Sequence, residues 1–311
     1  MVDWVAVVLA KKEGVYGADA APTAAANGIL TRNFQGKPVD VDQVNRNLDS
    51  GAYGARASKP SNERRTFSYE VEIAGSGAAG TAPAWMELLE GCGMAAPDLT
   101  AGTSAVQVFA APGGASSLTQ YDFLSDQKRK TVGSVGTFSL DFAAGAYPFI
   151  GFTWTGLVPA AAPYSKAAPG AVDLSRWQEP LEVNDTNTDF ALDGYAARLK
   201  SWKADAAVTV ALRNLVGTRY VRRGNHAVKS TLMIEAVDVA TKDYISTLRS
   251  GALVSFLLTH GTVAGQIVEI ASTKTQITAI TESKEDDLVM WTVELLHTID
   301  GGAIDLQITA K

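Results

Sequence analysis

Gly75-Ser76-Gly77-Ala78-Ala79-Gly80 spells G-x-G-x-x-G. In dinucleotide-binding folds that spacing makes a tight turn, brings backbone against pyrophosphate and seats a helix on the sheet. The chemistry needs a first strand buried on both faces, which reads as an unbroken apolar run. Here Phe67, Tyr69, Val71 and Ile73 alternate with Thr66, Ser68, Glu70 and Glu72, the pattern of a half-exposed strand. The better helix start is Thr81-Ala82-Pro83, with proline in the first turn, and not Gly80. No acidic residue is expected to end a second strand about 20 residues on; Asp98 follows Pro97 in a stretch that does not read as a strand. The glycines are expected to supply slack between a strand and a helix, and no cofactor is expected.

Other reactive residues are sparse. His226, His260 and His297 stand at no metal-ligand spacing from one another, and each is expected at a surface or strand edge. Cys92, the single cysteine, follows Gly91 at a helix end and is expected to act as a small packing residue. No G-x-S-x-G elbow occurs. Glu70 and Glu72 lie two apart on one strand face, whereas catalytic carboxylate pairs come from separate elements. Lys284-Glu285-Asp286-Asp287 reads as a hairpin turn without calcium-loop spacing. No catalytic or metal residues are expected, and no enzyme.

Composition narrows the class further. The chain has 311 residues, room for two domains, with 46% hydrophobic and 19% charged residues. Its net charge of −6 argues against sequence-specific duplex binding, which needs a basic excess. The apolar start WVAVVLA is too short for a signal sequence and is followed, not preceded, by lysines. No stretch reaches the roughly 18 apolar residues of a membrane span. A soluble protein made in a cytoplasm, with no membrane partner, is expected.

The elements are mostly strands. Period-two alternation recurs at 138–142, 150–154, 208–212, 289–295 and 304–308, which argues antiparallel sheets with one face on a core. Helices are expected at 83–90 and 242–250, each stopped by a glycine, Gly91 and Gly251. The chain also repeats itself. Arg46-Asn47-Leu48 with Tyr53 matches Arg213-Asn214-Leu215 with Tyr220, both at an offset of 167 (213 − 46 and 220 − 53). Each match is followed by a strand, a helix and a later Trp-Thr strand, at Trp154-Thr155 and Trp291-Thr292. The second half makes its strand-to-helix step, EAVDVATKD, without a glycine, so this step is scaffold. The fold expected is mainly β: two tandem β-sandwich domains, 1–160 and 178–311, each with one flanking helix. A Pro/Ala-rich linker over 161–177 joins them, inside a seam with four prolines, residues 158–180.

Glu13–Phe34 (EGVYGADAAPTAAANGILTRNF) and Arg64–Met94 (RRTFSYEVEIAGSGAAGTAPAWMELLEGCGM) resemble the tail tube, or major tail, proteins of long-tailed bacteriophages. The second segment carries the likeness in its alternating strand, Gly/Ala-rich connection and short Leu-rich helix ending in glycine. The two segments lie within residues 13–94, about a quarter of the chain. It implies β-sandwich subunits that join inner sheets into rings, and rings that stack into a hollow virion tail tube. It also implies assembly in the host cytoplasm, with the tape measure protein, the tail terminator and baseplate proteins as partners. DNA would pass through the lumen without sequence readout. Two units per chain then suggest a ring of three subunits with pseudo-sixfold symmetry; the alternative is six subunits with the second domain outside.

Glu70, Glu72, Asp141 and Glu235 are the candidates for an acidic or neutral lumen, with an outward face as the other placement. Residues 33–65 lack a clear period and carry Lys37, Arg46, Arg56, Lys59, Arg64 and Arg65. Long loops of this kind are commonly functional. With Arg219, Arg222 and Arg223 of the shorter basic segment 216–229, these residues are expected to meet acidic surface on the next ring. The competing class is a carbohydrate-binding or adhesin-type module with Trp177, Tyr195 and Trp202 as a stacking platform.

Overall fold

The computed structural model describes residues 6–46, 48–49, 53–114, 116–300 and 305–311. Asn47 of the Arg-Asn-Leu match and Ile304 of the last alternating run lie outside them. The fold is mainly β. In the first half the strands are β1 (Ala6–Lys12), β2 (Gly28–Ile29), β3 (Arg32–Gly36), β4 (Asp40–Val44), β5 (Lys59–Glu72), β6 (Asp98–Thr100), β7 (Ser104–Val108), β8 (Leu118–Leu124), β9 (Gln127–Ala143) and β10 (Phe149–Leu157). Then come β11 (Tyr164–Lys166), β12 (Thr188–Leu192), β13 (Leu199–Asp205), β14 (Val210–Leu215), β15 (Thr218–Arg223), β16 (Lys229–Glu235), β17 (Leu253–His260), β18 (Val268–Glu285), β19 (Leu288–His297) and β20 (Gln307–Ala310). Three short helices interrupt them: α1 (Ala24–Asn27), α2 (Met86–Gly91) and α3 (Tyr244–Ser250).

One continuous antiparallel sheet organises the chain. Its order is β3–β5–β10–β9–β13–β16–β19–β18. Within this sheet the two halves meet at β9 against β13, Ser201↔Ala143 through Asp205↔Ser139; elsewhere β20 of the second half pairs with β7 of the first, Gln307↔Val108 to Ala310↔Ala105. Only the second half of β9 joins β13; its first half pairs with β8, which pairs with β1. The same succession occurs twice. The first half runs β1–β8–β9–β10–β5–β3 and the second β12–β17–β18–β19–β16–β13. Register agrees as well. Trp154 lies opposite Phe67 and Trp291 opposite Ile234. Their separations, 234 − 67 = 167 and 291 − 154 = 137, equal those of the Arg-Asn-Leu and Trp-Thr matches in the sequence.

Alternation decides which face is buried. On β5, Phe67, Tyr69 and Val71 are buried while Thr66, Ser68, Glu70 and Glu72 are not. Trp154, Phe138, Phe142, Trp202, Leu232 and Val293 continue the same buried face into one cluster spanning both halves. Core alternation of this kind is the period-two signal turned into structure.

Several local expectations change. The stretch 33–65 is not a period-less loop: β4 folds back on the first part of β5, Asp40↔Arg64 to Val44↔Lys59, making an arm. The basic segment of the second half is a second hairpin, β14–β15, that turns at Val216-Gly217, with Gly217 at φ +87°. The glycines of the G-x-G-x-x-G stretch are not slack. A Cβ on Gly75 would overlap the Gly265 carbonyl oxygen, and one on Gly80 would overlap backbone at Thr100–Gly102. Gly77 N–H donates to that same Gly265 oxygen at 2.9 Å. Two backbones therefore meet here, and side chains are excluded for that reason. Gly91 does not stop α2 by its conformation either; it is the last helical residue, and a Cβ would press on Trp154 and Leu118. Gly251 does stop α3 in the left-handed region, φ 66°, and Asp243 caps its start through Ser246 N–H at 2.8 Å.

Candidate functional site

The open face of the long sheet is the first candidate surface. Directly paired residues point to one face, so the register defines rows across it. One row reads Arg32–Glu70–Gly151–Ser139–Asp205–Lys229 and the next Glu72–Phe149–Asp141–Lys203–Thr231–Glu294. All four acidic candidates, Glu70, Glu72, Asp141 and Glu235, fall on this face. Three of them carry a cation: Glu70 with Arg32 at 2.7 Å, Asp141 with Lys203 at 2.8 Å and Glu235 with Arg198 at 2.8 Å. Asp205, Lys229 and Glu294 add further charges of both signs, and most of what lies between is short and uncharged: Thr66, Ser68, Thr137, Ser139, Thr153, Thr155, Ser201 and Thr292. The face is polar and close to charge-balanced. It is less acidic than its four carboxylates alone suggest.

The two edges of that sheet form the second surface. On one edge β3 pairs only with β5. On the other, β18 pairs with β17 through residues 253–260 and with β19 through 288–297, and β17 ends opposite Gln276. From Ile277 to Glu285 the β17 side of β18 carries no strand among the described residues. The matching side of β9 is the one that β13 occupies.

Arms at one end of the sheet form the third surface. The expected contact residues divide there by environment. Arg65 does not belong to an exposed loop. It is buried, its Nη1 bonds Asp122 and lies 3.0 Å from the Thr131 hydroxyl, and its Nε donates to the Lys37 carbonyl at 3.3 Å. Position 65 falls on the inward phase of β5 with Phe67 and Tyr69, and that alternation could have revealed it. Arg223 is also tied down, donating to the Gly91 and Ser116 carbonyls at 3.1 and 3.3 Å. Burial lowers its pKa, and it satisfies the carbonyl end of α2. Arg64 answers Asp40 and Asp42 at 3.4 and 3.1 Å, and Lys37 answers Asp40 at 3.5 Å. Arg46, Arg56, Lys59, Arg219 and Arg222 are exposed. Asn214 of the hairpin donates to Asn62 of the first arm at 2.8 Å, so the two arms stand side by side.

The remaining candidates for chemistry are absorbed by the core. His260 and His297 are buried, not at a surface as expected. The His260 ring bonds the Thr188 hydroxyl at 2.8 Å and the Leu181 carbonyl at 3.1 Å. His297 sits between the Ser230 and Thr275 hydroxyls, and burial pulls its pKa down to about 4. His226 stacks on Phe109, centroids 3.8 Å apart, and faces Asp305 at 2.9 Å. Cys92 is buried, and desolvation raises its thiol pKa. Trp202 is fully buried between Phe142 and Phe256, and the Trp177 indole donates to the Gly28 carbonyl at 2.9 Å. A sugar-stacking platform therefore lacks its central ring. Among the described residues no three His, Cys, Asp or Glu side chains converge to hold a metal ion, and no helix is long and apolar enough to cross a membrane.

No protein-family profile and no curated protein matches the chain. Its function is therefore argued from the three surfaces alone.

Proposed function

We propose that the chain is a structural subunit of the phage tail-tube type, a duplicated unit that closes into rings and stacks them into a hollow conduit for DNA. One observation carries the reading: the β9–β13 junction inside the chain. Two units with the same strand succession are already joined edge to edge there, Asp141 beside Lys203. The outer edges left over, β3 and the far part of β18, are the counterparts of β13 and β9. Pairing β3 of one copy with β18 of the next repeats the internal junction. Such a contact is heterologous and closes a ring when the rotation allows.

Three copies would supply six units and a barrel of three times eight strands. At a strand spacing of about 4.8 Å and a tilt of about 40°, its wall would be roughly 50 Å across, wide enough for a duplex. The open polar face would line that channel. Its Ser/Thr-rich, ion-paired character suits passage, because unpaired lysines and arginines would grip phosphates and unpaired carboxylates would repel them within about 8 Å. The terminator, tape measure and baseplate proteins that the resemblance implies would bind the ends or lumen of the stack.

Sedimentation velocity over a hundredfold concentration range, with negative-stain microscopy of the top of the range, tests this. Ring-sized and longer species that grow with concentration are expected. A compact monomer at every concentration would overturn the reading.

A further inference from the structure

The molecule is polar along its strands. One end carries both arms, because β4–β5 and β14–β15 extend from the starts of β5 and β16. The opposite end carries the β9–β10 and β18–β19 turns. The charges separate in the same sense. Hairpin β14–β15 (210–223) contains Arg213, Arg219, Arg222 and Arg223 and no Asp or Glu. At its tip Leu215 is 55% exposed and Val216 wholly so. The end of this cationic hairpin thus presents two apolar side chains to solvent.

At the far end of β16 lies a groove of about 360 Å³ between the start of the following loop and the β18–β19 turn. Leu288 and Val289, 55% and 51% exposed, form its apolar wall over the buried Trp291. Glu235, Asp238 and Glu282 rim it. Glu235 already holds Arg198 at 2.8 Å, which leaves Asp238 and Glu282 as its open acids; at the adjoining turn Glu285 and Asp287 are paired with Lys200 and Lys284. Within one chain, tip and groove are separated by more than the length of β16, about 20 Å at 3.3 Å per residue.

We infer that the groove takes the β14–β15 tip of a second copy, with Leu215 and Val216 against Leu288 and Val289, and with Arg213 and Arg219 beside Asp238 and Glu282. The occupant is assigned by complementarity: an apolar, acid-rimmed recess at one end and an apolar, acid-free basic tip at the other. Arginine suits the rim because its planar fork holds carboxylates bidentately. The apolar centre supplies the binding and the charges fix orientation, as in interfaces generally. The contact is head-to-tail along the strands, so it orders copies axially. This rests on the reading that the chain self-assembles, and names the axial contact within it.

The test is a charge swap. Arg213→Glu/Arg219→Glu in one chain and Asp238→Lys/Glu282→Lys in another are each expected to raise the concentration midpoint for axial growth at least tenfold while single rings still form. All four changes in one chain are expected to restore growth. If both two-site variants grow like the wild type, the groove is not the axial contact, and the ring reading stands. A wild type that never assembles overturns both. Val216→Cys/Val289→Cys covers the case of a misfolded charge variant. Its Cα atoms cannot approach within the roughly 7 Å a disulfide needs inside one chain, so mild oxidation of the assembled protein is expected to give a ladder beyond the dimer. A folded double-cysteine variant that assembles without a ladder would also contradict the contact.

Discussion

Arg65 shows most clearly how a residue type misleads when read by charge alone. Its neighbours Arg64 and Thr66 are only half-buried, whereas Arg65 lies on the inward phase of β5 and carries the Asp122 carboxylate inside the fold. Removing one partner of such a pair leaves a buried charge uncompensated, which costs about 3–5 kcal/mol. Arg65→Met is therefore expected to lower the unfolding free energy, read from urea titration, by that amount, whereas Arg222→Met, on the exposed phase of β15, should change it by less than about 0.5 kcal/mol. Equal midpoints would show that the pair contributes nothing. His297 supplies a pH dependence. Its native pKa, about 4, lies below the unfolded value near 6.5 because burial opposes the charged ring. Between those values the unfolded chain binds the extra proton. The stabilisation is therefore complete above pH 6.5 and is lost as pH falls towards 4, at up to about 1.4 kcal/mol per pH unit. His260 is shifted in the same direction, also by burial. In His297→Gln the pH slope of stability between 6.5 and 4, read from denaturant midpoints, is expected to flatten; an unchanged slope would assign it elsewhere.

Among the elements, strands were legible and their company was not. Alternation in Phe67–Ile73, Phe138–Phe142, Phe152–Trp154 and Val289–Leu295 located β5, β9, β10 and β19 because one face of each is buried and the other is not. The arm over 33–65 stayed hidden, since β4 and the first part of β5 are solvated on both faces and leave no periodic signal. The G-x-G-x-x-G stretch showed that backbone geometry mattered there. It could not show that the partner is Gly265, nearly two hundred residues on, because that contact is backbone to backbone. Gly75→Val is accordingly expected to destabilise the fold by several kcal/mol, whereas Gly145→Ala, in a turn with nothing near its Cα, should cost only the strain of its positive φ. Thermal unfolding of both variants checks the contrast, and equal melting temperatures would remove the close approach from the account. Replacing residues 37–59 by a short Gly/Ser link is expected to leave the subunit folded and to weaken axial assembly. Long stacks from that deletion would take the first arm out of the contact.

For the whole molecule, the internal repeat is what connects sequence to assembly. Two offsets, 167 and 137, were visible as short matches of no individual weight; in the fold they meet on one rung of each half, at Phe67–Trp154 and Ile234–Trp291. The junction of the halves was not legible, because β9 and β13 meet through backbone groups that every residue carries. Under the assembly proposed above, that junction makes a ring of three subunits the natural closure: each chain would bring two of six similar units, and β3 and β18 would be the edges left to pair. Two-dimensional averaging of end-on ring images from the purified, concentrated protein tests this most directly. The account predicts a hollow ring with six similar lobes, strictly threefold in symmetry, in which the β4–β5 arm and the shorter β14–β15 hairpin alternate around the circumference. Rings with six whole subunits, or solid particles without a channel, would contradict it.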